Sequence, residues 1–593
     1  MLKRHEIFIS GYYQPVATNT EIAQILETLA ELMELDGVNK FRFIALQKAA
    51  RRVSEAGFSI TERAAAGTLT DIPDIGEKIA AKIEEIVATG RLGELEEYFQ
   101  KYPPALIEME RVQGVGPRTA RRVWEDLGVS NIAELEAAAR DGSIAGLPGL
   151  GEKSAENILK AIERLKVRSD RLLLGEVLPV AEEIAERLRR VPGARNVTCA
   201  GSVRRMKETV KDVDIIATAT DPEALTGAVG RLPMVADIIT SGPTKCSVRT
   251  HAGLQVDLRV VPDSLYGNLL QHFTGSKEHN IALRELAISM GLKVSEYGVE
   301  ETASGKVNEC ATEAEVYSLL GLAYIPPELR EDSGELKAAA EGRLPHLIET
   351  GDLKGDLHLH TDWSDGRASI KEMALAALDR GYSYIGVSDH TQSMGMVRGL
   401  TPKRLEEQLA EIAQVNDELE GFRVFASAEV DVRSDGSLDL PDESLSSLDF
   451  VTVSIHSGFN QEKSQIMERL RAAMENPFVR AIGHPTGRLI NRREPYEVDM
   501  EEIIATAART GTALEINSHF QRLDLNDIHA RAAKNASVPL VINSDAHRPE
   551  HLDVLRYGIA TARRGWIEPA DVLNTLSTSA MEKVLLKPKT GIL

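Results

Sequence analysis

The sequence predicts a chain of several domains, with an all-α N-terminal region, an α+β middle region and a C-terminal β/α barrel. A Gly-x-Gly pattern recurs between amphipathic helical stretches in about the first 170 residues. In the middle of the chain an Asp-x-Asp pair opens an apolar, strand-like run. Towards the C-terminus, apolar runs that end at histidine, aspartate or glutamate alternate with helical stretches.

Length, cysteine content and charge limit the class of protein. A chain of 593 residues can hold several domains, each with its own core. Its three cysteines lack metal-type spacing and indicate a reducing compartment without a disulfide framework. Since no apolar run has membrane-spanning length and the N-terminus lacks a signal-peptide core, we expect a cytoplasmic, nucleoid-associated monomer with no membrane partner. The net charge of −21 taken alone argues against a nucleic-acid partner, but local basic groups and backbone N–H donors bind phosphate whatever the total.

The N-terminal region, residues 17–100, is predicted to be helical, with helices over 19–35 and 43–53. Residues 1–16 precede it and are expected to form a disordered tail. The region resembles the small lyase domain of DNA polymerase beta, which implies that Lys82 is the catalytic Schiff-base lysine. Lys78 lies one turn earlier, and repulsion between two cations at i,i+4 favours a nucleophilic amine. The alternative is a solvated, DNA-facing helix.

Three copies of a glycine motif follow each other at residues 73–80, 113–120 and 148–155. Glycine permits positive φ and leaves backbone N–H groups exposed at the start of the next helix, where phosphate binds well. The repeat resembles the helix-hairpin-helix motif, a sequence-independent clamp for the DNA backbone. Asp74 replaces the leading glycine of the first copy, so we expect that hairpin to bind DNA more weakly than the arginine-rich second one. The resemblance assigns DNA contact to Gly114, Gly116, Arg118, Gly149, Gly151 and Lys153.

The middle of the chain places three carboxylates in strand-like runs. Asp212 and Asp214 open one run, ten residues after Ser202, and the strand period of two puts both on one face. Asp257 lies in another alternating run, residues 255–260. Three carboxylates on neighbouring strands can hold two Mg²⁺ or Mn²⁺ ions for nucleotidyl transfer, because oxygen ligands match hard cations.

This segment resembles the palm of the DNA polymerase X family, and residues 272–284 resemble that family's thumb signature. The resemblance implies an α+β nucleotidyltransferase fold, dNTP substrates, and catalytic metal binding by Asp212, Asp214 and Asp257. It places Arg284 at the template strand. It assigns nucleotide binding to Ser202, Arg205, His272, Phe273, Thr274, Gly275 and Asn280. His272 stands where the family often has tyrosine, so sugar discrimination does not follow from the resemblance.

Seven apolar runs alternate with helical stretches between residues 353 and 542. The helical stretches include residues 370–378 and 404–419. This alternation is expected for a β/α barrel whose site gathers at the C-terminal ends of the strands. The runs span residues 353–357, 384–387, 423–428, 450–455, 479–482, 512–516 and 538–542.

Nine metal-binding side chains, none a thiolate, lie near the ends of these runs. Imidazole and carboxylate ligands suit Zn²⁺, Mn²⁺ or iron. Because one ion needs three or four protein ligands, nine imply two or three ions, which would activate water and stabilise the oxygens of a phosphoester displacement. His519, His529 and His551 do not follow the strand-end rule and are predicted to be structural. The nine ligands are His358, His360, Asp365, His390, Glu429, His456, His484, Asp545 and His547.

The motifs GDLHLHTDWSDG, SDH, AEVD, SIHSG, GHP and NSDAH resemble the motif series of the polymerase-and-histidinol-phosphatase (PHP) domain. The resemblance implies a distorted (β/α)7 barrel with a trinuclear site and phosphoesterase activity. Every ligand position is filled, which favours an active hydrolase. A family X core joined to a PHP barrel resembles the bacterial and archaeal PolX proteins. The resemblance divides the chain into a lyase-like domain (17–100), fingers with two hairpins (101–170), palm (171–262), thumb (263–327), connector (328–353) and PHP barrel (354–593).

The sequence therefore predicts a template-directed, gap-filling DNA polymerase of base excision repair. Its barrel is predicted to act as a metal-dependent 3′–5′ exonuclease, so the expected partners are gapped or nicked duplexes and primer 3′ ends. One alternative is a DNA-tethered small-molecule phosphoesterase without polymerase activity, and another is a non-catalytic DNA-binding scaffold. Intact palm carboxylates argue against the first, because a tether has no use for them. Filled metal ligands in both halves argue against the second.

Overall fold

The computed structural model describes residues 19–54, 60–110, 112, 114–147, 149–168, 171–393 and 397–586. The chain divides into two compact units, of which the second begins at Arg171. The predicted disordered tail, residues 1–16, lies outside the described residues. No helix in the described part of the chain is long and apolar enough to cross a membrane.

The first unit is helical throughout its described ranges. Its helices are α1 (Asn19–Asp36), α2 (Lys40–Ser54), α3 (Ile60–Ala65), α4 (Glu77–Thr89), α5 (Gly93–Lys101), α6 (Ala105–Met109), α7 (Pro117–Leu127), α8 (Ile132–Arg140) and α9 (Glu152–Arg168). The two predicted N-terminal helices correspond to α1 and α2. Leu26, Leu29 and Ile83 lie in a single apolar core that also includes the buried faces of the later helices.

The second unit begins with an α+β domain built on a sheet of five strands among the described residues. Its elements are β1 (Leu172–Leu173), α10 (Leu174–Arg189), β2 (Ala194–Cys199), α11 (Gly201–Arg204), β3 (Thr209–Val210), β4 (Asp212–Ala219), α12 (Pro222–Val229), β5 (Val235–Ser241), β6 (Lys245–Thr250) and β7 (Gln255–Val260). The sheet order is β2-β4-β7-β6-β5, with β4 and β7 parallel. Val213 and Ile215 face the apolar core beneath α10 and α12. Strand alternation therefore places Asp212 and Asp214 on the opposite face.

A small α+β domain and a connecting segment follow. They contain α13 (Tyr266–Thr274), α14 (Lys277–Ser289), β8 (Leu292–Ser295), β9 (Gly298–Glu301), β10 (Val307–Asn308), α15 (Glu313–Leu319) and α16 (Glu335–Ala340). The segment predicted to be a connector, residues 328–353, is well packed. Arg330 and Glu335 within it are fully buried, and they pair with Glu313 at 2.5 Å and with His279 at 2.7 Å.

The C-terminal part is a parallel barrel of seven strands in the described residues, joined in sequence order. All seven predicted runs form strands, and the barrel closes through a bridge between Leu359 and Ala546. The strands are β11 (Gly355–Leu359), β12 (Tyr384–Val387), β13 (Arg423–Asp431), β14 (Phe450–Ser454), β15 (Val479–Ile482), β16 (Ala513–Asn517) and β17 (Leu540–Asn543). The barrel interior is filled at one end by Leu357, Phe425 and Phe450 together with Met581.

Helices surround this barrel and bury the outer side of its strands. They are α17 (Ile370–Asp379), α18 (Pro402–Glu418), α19 (Asp442–Leu445), α20 (Lys463–Glu475), α21 (Met500–Thr510), α22 (Asp527–Asn535) and α23 (Leu555–Arg564), whereas α24 (Thr578–Leu586) packs Met581 against the apolar end of the barrel interior. The two predicted helices correspond to α17 and α18. Apolar side chains of these helices and of the strands form one continuous core. The packed outer layer leaves the C-terminal strand ends to carry the polar side chains.

Candidate active sites

The structure brings the nine predicted barrel ligands together at the C-terminal strand ends. Eight of them form three groups that could each hold a metal ion, with ligand atoms within 4.8 Å of one another. The remaining one, His484, places Nε2 3.0 Å from Oε1 of Glu429. The groups share members and are therefore adjacent. They are His360, Asp365, His390 and His547; His358, His360 and Asp545; and His390, Glu429 and His456.

Glu429 lies at the centre of this cluster and is 1% exposed. Its Oε2 is 2.9 Å from Nδ1 of His390 and 3.5 Å from Nε2 of His358. Its Oε1 is 3.0 Å from Nε2 of His484 and 3.3 Å from Nε2 of His456. Burial would raise the pKa of Glu429, but the neighbouring histidine charges hold it well below its usual range.

The donor atoms of the cluster fit divalent metal ions. Among the described residues, Nε2 of His358 and both ring nitrogens of His360 have no hydrogen-bond partner although the two rings are fully buried. These nitrogens lie about 3 to 4 Å from carboxylate oxygens. Such a separation is expected when two ligand atoms each lie about 2 Å from the same ion. A set of imidazoles and carboxylates is the donor set expected for zinc, manganese or iron.

In the palm, the predicted carboxylates lie side by side. Strands β4 and β7 pair in a register that sets Asp214 opposite Asp257 and Asp212 opposite Gln255. Gln255 Nε2 donates to Asp257 Oδ2 at 2.9 Å. Burial together with the charges of Asp212 and Asp257 raises the pKa of Asp214 to about 6. Mutual repulsion of this kind is relieved when a cation binds between the carboxylates.

Gly201 is required where the chain passes this cluster. Its φ is +61°, and a Cβ atom at this position would lie 2.9 Å from Oδ2 of Asp214. A side chain would therefore be strained by its backbone conformation and would press on the carboxylate. The glycine lets Ser202 and the start of α11 approach the beginning of β4.

A cavity of about 660 Å³ opens beside these carboxylates. Most of the predicted nucleotide-binding residues line it, and its size is typical of a small-molecule site. Thr274 does not line it, because its fully buried Oγ1 accepts a hydrogen bond from Arg204 at 2.6 Å. The lining residues are Arg171, Gly201, Ser202, Arg205, Lys211, Asp212, Asp214, His272, Phe273, Gly275, Lys277, Asn280, Ile281 and Arg284.

The thumb residues of the cavity are fixed by local hydrogen bonds. Asn280 Nδ2 donates to the carbonyl of His272 at 2.8 Å, and Asn280 Oδ1 accepts from Gln271 at 2.8 Å. Arg284 Nη2 lies 3.4 Å from Nδ1 of His272. Burial lowers the pKa of His272, so the neutral ring lines the cavity.

In the first unit, the three glycine motifs adopt one turn conformation. The leading residue of each turn has positive φ, at +67° for Asp74, +92° for Gly114 and +83° for Gly149. The following helix, α4, α7 or α9, begins three residues later, which leaves its first N–H groups without intrahelical partners. Asp74 adopts the left-handed conformation in place of glycine, and its Oδ2 accepts a hydrogen bond from Arg52 at 2.9 Å.

The basic side chains of the hairpins differ in their surroundings. Arg118 and Lys153 are exposed. Arg121 and Arg122, which the sequence suggests as further positive charge, pair instead with Glu125 at 2.8 Å and Asp126 at 3.4 Å. The unpaired positive charge of the second hairpin is therefore smaller than its number of arginines indicates.

Lys82 lies on α4 and forms an ion pair with Glu94. Glu94 also pairs with Arg42 at 3.2 Å. Lys82 therefore faces a carboxylate in addition to the predicted repulsion from Lys78. The role of Lys82 as an imine-forming amine stays a prediction.

Comparison with known proteins assigns the family. A Bacillus subtilis (strain 168) protein named DNA polymerase/3′-5′ exonuclease PolX is 39% identical over 567 residues, which cover 95% of this chain and 99% of that protein. The chain belongs to the PolX family. Family profiles match successive parts of this PolX chain: a helix-hairpin-helix domain over residues 17–92, a SAM-like helix-hairpin-helix tandem over 106–164, a DNA polymerase beta thumb over 269–331 and a PHP domain over 356–519.

Two further relatives match smaller shares of the PolX chain. DNA polymerase lambda of Rattus norvegicus is 26% identical over 341 residues, 53% of this chain and 56% of that protein. A protein of Syntrophotalea carbinolica (strain DSM 2380 / NBRC 103641 / GraBd1) named probable phosphatase is 29% identical over 236 residues, 38% of this chain and 93% of that protein. The predicted family and fold class are confirmed.

The PolX barrel also contains carboxylates that contact the predicted ligand histidines. These carboxylates were not predicted from the sequence. Glu515, in the middle of β16, lies 2.7 Å from Nδ1 of His358 through Oε1, and its Oε2 accepts the backbone N–H of His484 at 2.7 Å. Oδ1 of Asp431 lies 3.4 Å from Nδ1 of His456. Such carboxylates fix the orientation of a ligating imidazole and raise its basicity. A charged residue inside an otherwise apolar run was the signal for Glu515.

Arg522 is a second residue that the sequence did not single out. It follows β16, and its Nε lies 3.6 Å from Oδ2 of Asp545. In the described part of the chain its Nη1 is buried without a hydrogen-bond partner. A guanidinium placed in this way beside the predicted metal ligands can bind a phosphate oxygen. His519 lies two residues after β16, whereas His551 accepts a hydrogen bond from Arg548 at 2.8 Å.

The pKa of Asp214 leads to a test of the PolX palm in the absence of metal. Because that pKa is raised to about 6, the folded protein binds this proton more tightly than the unfolded chain, and stability is lost as pH rises through 6. We expect Asp214→Asn, in a chelator, to raise the free energy of unfolding at pH 8 by about 1–3 kcal/mol. The gain should shrink below pH 6. Thermal unfolding at pH 8 and pH 5 measures it, and an equal shift at both pH values would contradict the repulsion.

Proposed function

We propose that this chain is a template-directed, gap-filling DNA polymerase of base excision repair whose PHP barrel is a metal-dependent 3′–5′ exonuclease. The observation that carries the proposal is the pairing of Asp214, which lines a cavity of about 660 Å³, with Asp257 on the neighbouring strand. The family relationship and the separate metal-ligand cluster of the barrel support it.

In the polymerase site, Asp212, Asp214 and Asp257 would hold Mg²⁺ or Mn²⁺. Ions bound there would supply charge stabilisation for attack of a primer 3′-hydroxyl on the α-phosphate of a dNTP. Ser202 and Arg205 would bind the β- and γ-phosphates. The cavity wall formed by His272 and its neighbours would position the sugar and base.

In the exonuclease site, the nine barrel ligands would hold two or three ions of manganese, zinc or iron. Such ions would supply an activated water and charge stabilisation for phosphodiester cleavage. Arg522 would donate through its unpartnered Nη1 to a non-bridging phosphate oxygen at the primer end. Glu515 would keep His358 in the orientation that ligation needs.

The hairpin turns would hold the DNA backbone. A Cβ atom at Gly116 or Gly151 would project into open space. Contacts with the described residues therefore do not explain why these two positions are glycine. A close approach of DNA phosphate to the backbone N–H groups would explain the glycines. Arg118 and Lys153 would add two phosphate contacts.

The hairpins provide a salt-dependence test. We expect Arg118→Gln combined with Lys153→Gln to weaken binding to gapped DNA uniformly across sequences, because two phosphate contacts are lost. The slope of log affinity against log salt should fall by about two. Fluorescence anisotropy over a salt series measures the slope. Arg140→Gln, which removes an exposed arginine paired with Glu136 at 2.8 Å, is the control that should leave the slope unchanged.

The proposed function is tested with a labelled primer in a one-nucleotide gapped duplex that carries a downstream 5′-phosphate. The full chain is incubated with Mg²⁺ or Mn²⁺, with and without dNTPs. We expect template-directed extension with dNTPs and shortening from the 3′ end without them. Shortening without extension under every condition would instead favour a DNA-tethered phosphoesterase.

A further inference from the structure

A buried arginine of the barrel reaches the nucleotide-binding part of the palm. The side chain of Arg564, on α23, is 5% exposed. Its Nη1 donates to the backbone carbonyl of Arg205 at 2.9 Å and to Oε1 of Glu331 at 3.0 Å. Its Nη2 donates to Oδ2 of Asp527, at the start of α22, at 2.6 Å. Arg564 is thus anchored in the barrel and bonded to the palm at the same time.

Arg205 shares an acceptor with Arg564. Its Nε donates to the same Oε1 of Glu331 at 2.9 Å, and its Nη1 donates to the carbonyl of Thr274. Two acceptors therefore fix the plane of the guanidinium. Among the described residues Nη2 of Arg205 has no hydrogen-bond partner, and the side chain lines the cavity. A fixed guanidinium with a free N–H edge is suited to bind a phosphate.

The charges around Glu331 make Arg564 necessary for holding the Arg205 guanidinium with its free N–H edge in the cavity. Burial would raise the pKa of Glu331, but Arg564, Lys207 and Arg205 lower it, so the carboxylate is ionised. Glu331 and Asp527 together carry two negative charges, and Arg564 contacts both. Without Arg564, the guanidinium of Arg205 would be the nearest one to the carboxylate of Glu331. That carboxylate would then compete with a bound triphosphate for the Arg205 guanidinium. Two partly buried carboxylates, with side chains 23% and 25% exposed, would also lose a partner, which is unfavourable.

The barrel supports the rim of the cavity at further points. Nη2 of Arg488 pairs with Glu208 at 2.7 Å, three residues after Arg205. Nδ2 of Asn491 donates to the carbonyl of Arg171, which itself lines the cavity, at 3.1 Å. Contacts from the loop after β15 and from α23 therefore reach Arg171 and Arg205, which both line the nucleotide cavity.

We propose that Arg564 is a positioning residue for nucleotide binding, which acts through Glu331 and the backbone of Arg205 to hold the Arg205 guanidinium toward the triphosphate. The inference rests on the proposed polymerase function. It makes the barrel a structural part of the nucleotide site in addition to a nuclease. An isolated polymerase core would lack this contact.

The test compares Arg564→Met with Arg563→Met in the full chain. Arg563 is the neighbouring residue on α23 and joins the barrel to Glu328 at 2.8 Å, but it contacts neither Glu331 nor Arg205. We expect Arg564→Met to raise the KM for dNTP by about tenfold or more, the size expected for one charged hydrogen bond. The kcat, the KM for gapped DNA and 3′-end shortening should stay near wild type. Arg563→Met should leave the KM for dNTP unchanged.

A double variant separates positioning from a general loss of structure. If Arg564 acts through Arg205, Arg564→Met added to Arg205→Met should raise the KM for dNTP no further than Arg205→Met alone. Additive effects, an unchanged KM in Arg564→Met, or an equal rise in Arg563→Met would each overturn the proposal. Should Arg564→Met fail to fold, Arg564→Lys replaces it, because lysine keeps the charge but lacks the fork that bridges Glu331 and Asp527.

The same preparations distinguish this proposal from the polymerase assignment. A wild type that extends primers, beside Arg564→Met with an unchanged KM for dNTP, refutes only the positioning role. A wild type that never extends primers refutes the polymerase function and the positioning role together. Shortening activity in each sample verifies that the barrel is folded.

Discussion

Primer extension should fall by about 10²–10³-fold or more in Asp214→Asn, since a ligand shared by two ions contributes several kcal/mol to stabilisation of the transition state. Asp214 is paired in register with Asp257 and lies beside Asp212, so its charge is central to the cluster. Asparagine preserves shape but removes the charge that the cations need. Single-turnover extension of a one-nucleotide gap with Mg²⁺ measures the loss.

The same variant should still shorten primers at close to the wild-type rate, because its substitution lies outside the barrel. Asp263→Asn is the matched control, since Asp263 is an exposed aspartate just after the palm that pairs with the palm residue Arg195. Extension should survive in that control. An Asp214→Asn protein that extends primers normally would remove Asp214 from the catalytic site. A loss of shortening as well would indicate that the two activities are not independent.

The combination of this variant's two expected effects is itself informative. Without metal, Asp214→Asn should be more stable than wild type at pH 8, yet it should be almost inactive as a polymerase. Clustered carboxylates repel each other in the folded protein and are useful only when cations bind them. Greater stability with lower activity is therefore expected at a functional site, and a merely structural aspartate would not show it.

The sequence predicts much of the barrel because its signals are local. Each strand is a short apolar run, and a ligand such as His358 or Glu429 stands near its end, so strand and site are visible together. The palm is similarly visible in the alternation of residues 255–260, which form β7 within the predicted bounds. Local patterns also predict α1 and α17, whose amphipathic periods are regular.

The remaining features depend on partners far away in sequence. Arg330 and Glu335 look like solvent-exposed charges of a connector, but Glu313 and His279 satisfy them in the interior. The contact between Arg564 and Glu331 joins residues 233 positions apart, and no periodicity indicates it. Pairings of this kind depend on how domains pack, which local hydrophobic patterns do not encode.

The second large effect is expected in the barrel. Glu429→Gln should lower 3′-end shortening by about 10²–10³-fold, because the carboxylate that contacts four of the predicted ligand histidines becomes a neutral amide. Primer extension should remain within a small factor of wild type. Shortening of a labelled primer without dNTPs measures the loss, and elemental analysis of the purified protein should show fewer bound metal ions.

Glu515→Gln separates charge at the metal centre from orientation of its ligands. Glu515 touches His358 and the backbone of His484 but stands behind the ligands, so its variant should lose only about 10–100-fold in metal affinity or activity. Excess metal should then restore much of the shortening in Glu515→Gln and little in Glu429→Gln, where a ligand is missing. Equal rescue of both variants would indicate that Glu429, like Glu515, orients the ligands and is not itself a ligand. Wild-type shortening in Glu429→Gln would place the nuclease centre elsewhere in the barrel.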